Sequence, residues 1–206
     1  MKAEMIVNKE NQQGYSEYLK TRSSIGYIYR KRFLYPRICE CLPGKVLDFG
    51  CGIGDFLSFR PGTTGVDVNE HNVAYCRSRG FDVSVVNNGV INALDKQFDS
   101  IVMDNVLEHI PENEVSQVLE EIKRVLKVGG RLVIGVPGLK GYQSDSDHKV
   151  YYTKQGLIQL LEKHDYFASD IFPMPLPWNW LGRYLRQYCI YGVFTLALSN
   201  QEMSES

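Results

Sequence analysis

The sequence predicts an α/β protein built on a doubly wound, largely parallel sheet, and two observations predict it. Short apolar runs alternate with helical stretches from Lys45 onward, and the first run opens into a glycine-dense loop, Gly50-Cys51-Gly52-Ile53-Gly54. Strands joined by crossovers of about ten residues or more must pair in parallel through right-handed connections. Helices then cover both faces of one sheet. The 206 residues, 44% hydrophobic and 23% charged, fit a single well-cored domain. We divide it into a helical cap (1–44), a core (45–172) and an excursion with the last strand (173–206).

Each element has its own signal. Tyr15 to Cys41 mixes aromatic, aliphatic and basic residues as two helices would, ending at Leu42-Pro43-Gly44. Lys45 to Phe49 reads as a buried strand. Asp55 to Phe59 allows at most about two helical turns before Pro61-Gly62. Thr64 to Val68 is the second strand, Asn69 caps the next helix, and Gly80 ends it near Arg79. Val83 to Val86 is strand three and Ser100 to Met103 strand four. From Pro111 a helix places Val115, Val118, Leu119, Ile122, Val125 and Leu126 on one face, with Gly129-Gly130 as its terminator. Arg131 to Val136 follows as strand five, Thr153 caps a helix carrying Leu157, Ile158, Leu160 and Leu161, and Phe167 to Phe172 is strand six. The Pro- and Trp-containing stretch 173–192 interrupts the rhythm before a last strand, Val193 to Ser199.

A net charge of −1 provides no global attraction to polyanions, so a nucleic-acid partner is not indicated. The five cysteines, 39, 41, 51, 76 and 189, lack CxxC spacing and suggest neither a disulfide framework nor zinc. Cys39 and Cys41 read as ordinary helix residues. The opening MKAEMIVNKENQQG lacks a signal peptide's apolar run, and no stretch reaches the roughly 18 apolar residues of a membrane span. A reduced, cytoplasmic protein is expected, with metal not required.

In doubly wound sheets ligands lie beyond the carboxyl ends of the strands, where the loop from Asp48 to Gly54 falls. Its spacing is GxGxG, without the third glycine of the GxGxxG dinucleotide fingerprint, which disfavours nicotinamide. Asp67, ending the second strand, is placed to accept both hydroxyls of a ribose, so an adenosine-containing cofactor is implied.

Val46-Leu47-Asp48-Phe49-Gly50-Cys51-Gly52-Ile53-Gly54 resembles the first motif of class I S-adenosylmethionine-dependent methyltransferases, and Gly65-Val66-Asp67-Val68 resembles their acidic second motif. Phe98 to Val102, Val106-Leu107-Glu108-His109-Ile110-Pro111 and Leu126 to Leu132 resemble the fourth- and fifth-strand regions of the small-molecule subgroup. The resemblance, over roughly residues 45 to 170, implies a Rossmann-like sheet in the order 3-2-1-4-5-7-6 with an antiparallel last strand. It implies that Gly50, Cys51, Gly52 and Gly54 wrap the methionine part of S-adenosylmethionine, that Asp48 orients it, and that Asp67 and Val68 meet the ribose. Asn87, Asn88 and Gly89 fall near the adenine contact, where many relatives carry an acidic residue, and Asp104 and Asn105, just after strand four, are also expected to bind the cofactor. Tyr15, Tyr18 and Arg22 would reach the cofactor carboxylate from an N-terminal helix, or simply pack on the sheet. Asp147-His148 and Tyr152-Thr153 resemble relatives in cell-surface polysaccharide or carrier-linked pathways.

Methyl transfer to a hydroxyl needs alignment and, where a proton is lost, a base. His109 and His148, in loops beyond strands four and five, are the candidates; each stands against a plainer role as a surface or capping histidine. Glu108 has the bland reading of a first-turn carboxylate complementing a helix dipole, and His71 and His164 read as helix-surface residues. Arg30, Lys31, Arg32 and Arg37 are either an anion site or a solvated face. Trp178, Trp180, Leu181, Tyr184, Leu185, Tyr188, Ile190 and Tyr191 suit an acceptor pocket, a lid, a peripheral membrane contact, core or a dimer face. The expected reaction is methyl transfer, preferably to oxygen, on a small-molecule or carrier-linked acceptor, with S-adenosylhomocysteine as product. The rivals are a silent S-adenosylmethionine-binding partner protein and a protein or RNA methyltransferase.

Overall fold

The computed structural model describes residues 24–197; the expectations for Tyr15, Tyr18 and Arg22 lie outside them. Of the Tyr15–Cys41 segment expected to hold two helices, the described part is one helical run. It comprises α1 (Ser24–Tyr29), a π-helical turn (Arg30–Leu34) and α2 (Tyr35–Glu40), which buries Tyr35 and Ile38.

The strands are β1 (Val46–Phe49), β2 (Thr64–Asp67), β3 (Val83–Val85), β4 (Phe98–Asp104), β5 (Leu126–Pro137), β6 (Tyr166–Met174) and β7 (Cys189–Leu196). They form one sheet in the order β3-β2-β1-β4-β5-β7-β6. The first five pair in parallel and β7 runs antiparallel to both neighbours, as the resemblance implied. β1 and most of β4 and β5 are buried, as strands covered on both faces must be.

Between them lie α3 (Asp55–Phe59), α4 (Glu70–Ser78), α5 (Glu112–Val125), α6 (Leu139–Tyr142) and α7 (Lys154–Glu162). Two caps stand where the sequence put them. Asn69 accepts from the amides of His71 and Asn72, and Thr153 from that of Gly156. Asn69→Ala leaves α4 with two unsatisfied amides, and we expect a loss of about 1 kcal/mol in denaturant unfolding.

Three boundaries differ from expectation. α5 stops at Val125, four residues before Gly129, because Leu126 already pairs with Phe98 across the sheet. Leu126 is therefore a strand residue, and Gly129-Gly130 lie in an irregular stretch of β5 rather than ending a helix. The excursion is shorter than 173–192, since pairing of Met174 with Cys189 absorbs both ends. A 3-10 turn (Asn179–Arg183) remains between them. The last strand is correspondingly earlier, Cys189–Leu196.

One core joins α5, α7 and the strands, with Leu119, Ile122, Leu132, Leu157, Tyr166 and Phe194 fully buried. A second packs the N-terminal helical run and Phe56 against Val46, Val102, Val133, Tyr191 and Val193 on the other face. β1, β2 and β4 are parallel neighbours, so their carboxyl ends meet at one edge of the sheet.

Candidate active site

The glycine loop is a bare backbone cradle. Gly50, Gly52 and Gly54 take φ of 80°, 54° and 80°, in the left-handed region that favours glycine. A side chain at Gly50 would also strike Val106, just past β4. The amides of Gly50 and Cys51 donate to the Val66 carbonyl at 2.8 and 3.0 Å, tying the loop to β2.

Asp67 completes that tie. One carboxylate oxygen accepts from the Gly52 amide at 2.8 Å and the other from the Asn69 amide at 2.7 Å. Burial pushes its carboxyl up, while the Asn69 and Gly52 amides hold the charged form against that shift. The Asn72 side chain favours the charged form as well. Asp67 thus fixes the loop as well as ending the strand, a role its spacing alone did not reveal. Val68 beside it is half-exposed. Asn87 and Asn88 are exposed just past β3 in a turn closed by the Asn87–Val90 pair, with Asn88 and Gly89 left-handed.

Asp48 lies fully buried at the end of β1. Burial raises its carboxyl well above the usual range, and the nearby Asp104 and Asp67 push the same way. Asp104 accepts from the Tyr191 hydroxyl at 2.6 Å and from the Asn105 side-chain amide at 2.8 Å. Asn105 is left-handed at φ 55° and accepts from the Cys189 thiol at 3.4 Å. The sequence left Tyr191 among acceptor-pocket, lid, membrane, core and dimer-face roles and gave no sign of its bond to Asp104. The partner of Tyr191 in the sheet is Gly135, and the ring lies where a side chain at Gly135 would be. That relation exists only once β5 and β7 are in register.

The cleft therefore gathers Asp48, Asp67 and Asp104, with Asp55 beside them. Arg30, which the sequence left between an anion site and a solvated face, answers Asp55 at 3.3 Å from the π-helical turn. Its Nε and the Tyr29 hydroxyl are buried without hydrogen-bond partners. Arg37 instead pairs with Glu40 and Asp170 at the surface.

On the other side of β4, a 3-10 turn (Leu107–His109) precedes α5. Glu108 is not a first-turn carboxylate of a helix: its side chain is fully buried and neither oxygen has a hydrogen-bond partner. Burial pushes it up to about 8. The Glu108 carbonyl accepts from the amides of Lys149 and Val150 at 2.7 and 3.2 Å, docking the 145–150 loop on the turn. His148 is thereby carried to His109, with ring centroids 4.7 Å apart, and its Nε2 to 3.8 Å from Glu108 Oε1. Burial lowers the His109 imidazole, and His148 adds to that. Both predicted histidines are thus in one cluster, and neither is a plain surface residue.

His71 is exposed on α4. His164 lies just beyond α7, 3.2 Å from Glu120. In the excursion Trp178, Trp180 and Tyr184 are exposed, while Leu181, Tyr188 and Tyr191 are buried. The Gly138 amide donates to the Tyr188 carbonyl, holding the end of the excursion against β5. Among the described residues no helix is long and apolar enough to cross a membrane.

Residues 47–134 match the family model described as a methyltransferase domain. That segment is a methyltransferase domain. Over 110 residues the chain is 34% identical to the probable tRNA methyltransferase 9B of Mus musculus, covering 50% of this chain and 25% of that protein. Over 157 residues it is 27% identical to the 27-O-demethylrifamycin SV methyltransferase of Amycolatopsis mediterranei, covering 66% and 56%. A Burkholderia thailandensis 1,6-didemethyltoxoflavin-N1-methyltransferase, solved with bound 1,6-didemethyltoxoflavin and S-adenosylhomocysteine, superposes with a TM-score of 0.65 at 20% identity, covering 92% of this chain and 88% of that one. The chain thus spans between a quarter and just over half of those two curated relatives. The names of these relatives range from tRNA to antibiotic methylation, so the comparisons do not support the exclusion of nucleic acid read from net charge.

Proposed function

We propose that this chain, as a single domain, transfers the methyl group of S-adenosylmethionine to an oxygen of a small-molecule or carrier-linked acceptor, in cell-surface polysaccharide or lipid synthesis. The observation that carries the cofactor half is the acidic cradle. Asp48, Asp55, Asp67 and Asp104 converge on a glycine loop, which suits a ligand bearing sulfonium and ammonium charges and repels the pyrophosphate of a dinucleotide. Arg30 Nε and the Tyr29 hydroxyl, buried and unpartnered, fit a carboxylate at the methionine end. Gly50, Cys51, Gly52 and Gly54 supply the backbone surface, Asp67 and Val68 the ribose edge, and Asn87, Asn88 and Gly89 the adenine rim. Asp104 and Asn105 line the floor.

When bound, S-adenosylmethionine supplies an electrophilic methyl whose carbon–sulfur bond breaks as the oxygen–carbon bond forms, leaving neutral S-adenosylhomocysteine. The chain's work is alignment and handling of the acceptor's hydroxyl proton. His109 and His148, with Glu108 beside them, do the second from the acceptor side of β4, and the proton passes on to solvent. The 34% identity to a probable tRNA methyltransferase favours an RNA acceptor as the competing reading. Release of S-adenosylhomocysteine is measured with hydroxylated sugars, lipid-linked glycans and tRNA. Turnover with tRNA alone would replace the acceptor class, and tight cofactor binding with no turnover on any acceptor would leave a silent binding protein.

Asp48 separates binding from stability. Its folded-state carboxyl is raised, so its contribution to stability is greatest at low pH and declines as pH rises from the ordinary aspartate range toward the folded value. At neutral pH the ligand-free fold therefore bears a cost that asparagine removes. We expect Asp48→Asn to raise the ligand-free melting temperature at pH 7.5 by about 2–4 °C, or about 1 kcal/mol, while weakening S-adenosylmethionine. A melting temperature that falls together with affinity would overturn the strain account.

A further inference from the structure

We propose that Glu108, His109 and His148 form a binding site for a divalent transition-metal ion at the acceptor end of the cleft. Among the described residues this is the one group of three potential ligands, and their donor atoms lie within 4.8 Å of one another. Two nitrogens and one carboxylate suit zinc, cobalt or ferrous iron rather than magnesium or calcium, which prefer all-oxygen sets.

Three features mark a prepared site rather than a chance meeting. The Glu108 carboxylate is fully buried, lacks any hydrogen-bond partner, and faces the two rings. Such a group costs stability unless a charge or donor answers it, and at 3.8 Å the His148 nitrogen is too far for a hydrogen bond. His148 Nδ1 lies 2.8 Å from the Tyr142 carbonyl. A carbonyl only accepts, so Nδ1 carries a proton, and Nε2 is the ring nitrogen turned toward Glu108. The His109 ring packs against that of His148, with centroids 4.7 Å apart. The His148 imidazole is thus held from outside by a carbonyl, the arrangement that orients histidine ligands in metal sites.

Bonds of about 2.0–2.2 Å would bring the three donors to roughly 3–3.5 Å of one another, a shift of about an ångström that side-chain rotation supplies. The ion would keep open positions on the cleft side. There it would hold an acceptor hydroxyl and favour release of its proton to solvent as the oxygen takes the methyl group. That use rests on the methyl-transfer reading, whereas ion binding itself does not.

The test uses the full chain, stripped with a chelator and dialysed, then titrated with Zn²⁺ alone by calorimetry and with Co²⁺ by visible absorption. We expect one ion per chain and a melting temperature that rises with Zn²⁺. Glu108→Gln and His148→Ala should each weaken Zn²⁺ by about tenfold or more, while His71→Ala, at an exposed histidine on α4, leaves it unchanged. Absence of saturable one-to-one binding by the wild type overturns the proposal, whatever the variants do. So does wild-type affinity in a folded Glu108→Gln. S-adenosylmethionine is titrated into the same stripped protein. Its binding without Zn²⁺ binding sinks the ion site and leaves the cofactor reading, and the reverse result does the opposite.

Discussion

Asp67→Ala should reduce the affinity for S-adenosylmethionine at least about 100-fold, the largest effect on binding of any single substitution in the cradle. Two losses combine. The ligand loses a charged acceptor for its ribose hydroxyls, worth about 1.5–3 kcal/mol per hydrogen bond, and about 2.7 kcal/mol already corresponds to 100-fold. The protein loses the tie between loop and strand, because the Gly52 and Asn69 amides no longer have their acceptor. The variant should therefore also unfold at lower denaturant. Calorimetric titration with S-adenosylmethionine, S-adenosylhomocysteine and NAD checks it. A folded Asp67→Ala protein that binds S-adenosylmethionine as tightly as wild type would remove Asp67 from the site, and tight NAD binding by the wild type would undo the cofactor assignment.

The largest effect on stability is expected at Phe194. The ring is fully buried in β7, packed in the core that joins α5 and α7 to the sheet, and it occupies the space beside Gly192 where a side chain would otherwise stand. Phe194→Ala removes that packing and leaves a cavity, costing about 3–5 kcal/mol. At about 2–4 °C per kcal/mol for a domain of this size, the melting temperature should drop by roughly 6–20 °C. A loss below about 1 kcal/mol would mean that the core closes around the gap. Because β7 also presents Tyr191 to Asp104, the variant should weaken S-adenosylmethionine further than its folded fraction explains.

The two clusters of side chains that frame the cleft are built differently. The cofactor side consists of short-range features: a strand, a glycine loop and an acidic residue at the next strand's end, all within 48–67. The acceptor side is assembled at long range, with Glu108 and His109 after β4 and His148 some forty residues later, docked by two amides on one carbonyl. Function at the first depends on backbone shape. In the proposed reading, the second depends on the Glu108 carboxylate, which is left unsatisfied within the protein.

The sequence by itself determined the strands and caps, the glycine cradle, Asp67 at its edge, and His109 and His148 as the histidines of interest. These are legible because they are local: a left-handed glycine, a capping side chain and an apolar period express their physics within a few residues. Even there, α5 ended earlier than its glycines suggested, since pairing of Leu126 with Phe98 overrode the local stop signal. The tertiary structure alone decided that Tyr191 reaches Asp104 over Gly135, that Arg30 answers Asp55, and that Glu108 is buried between two histidines. Each of those facts depends on strand register or loop docking between distant segments, where a carboxylate that reads as a helix-end charge can be closed off from water.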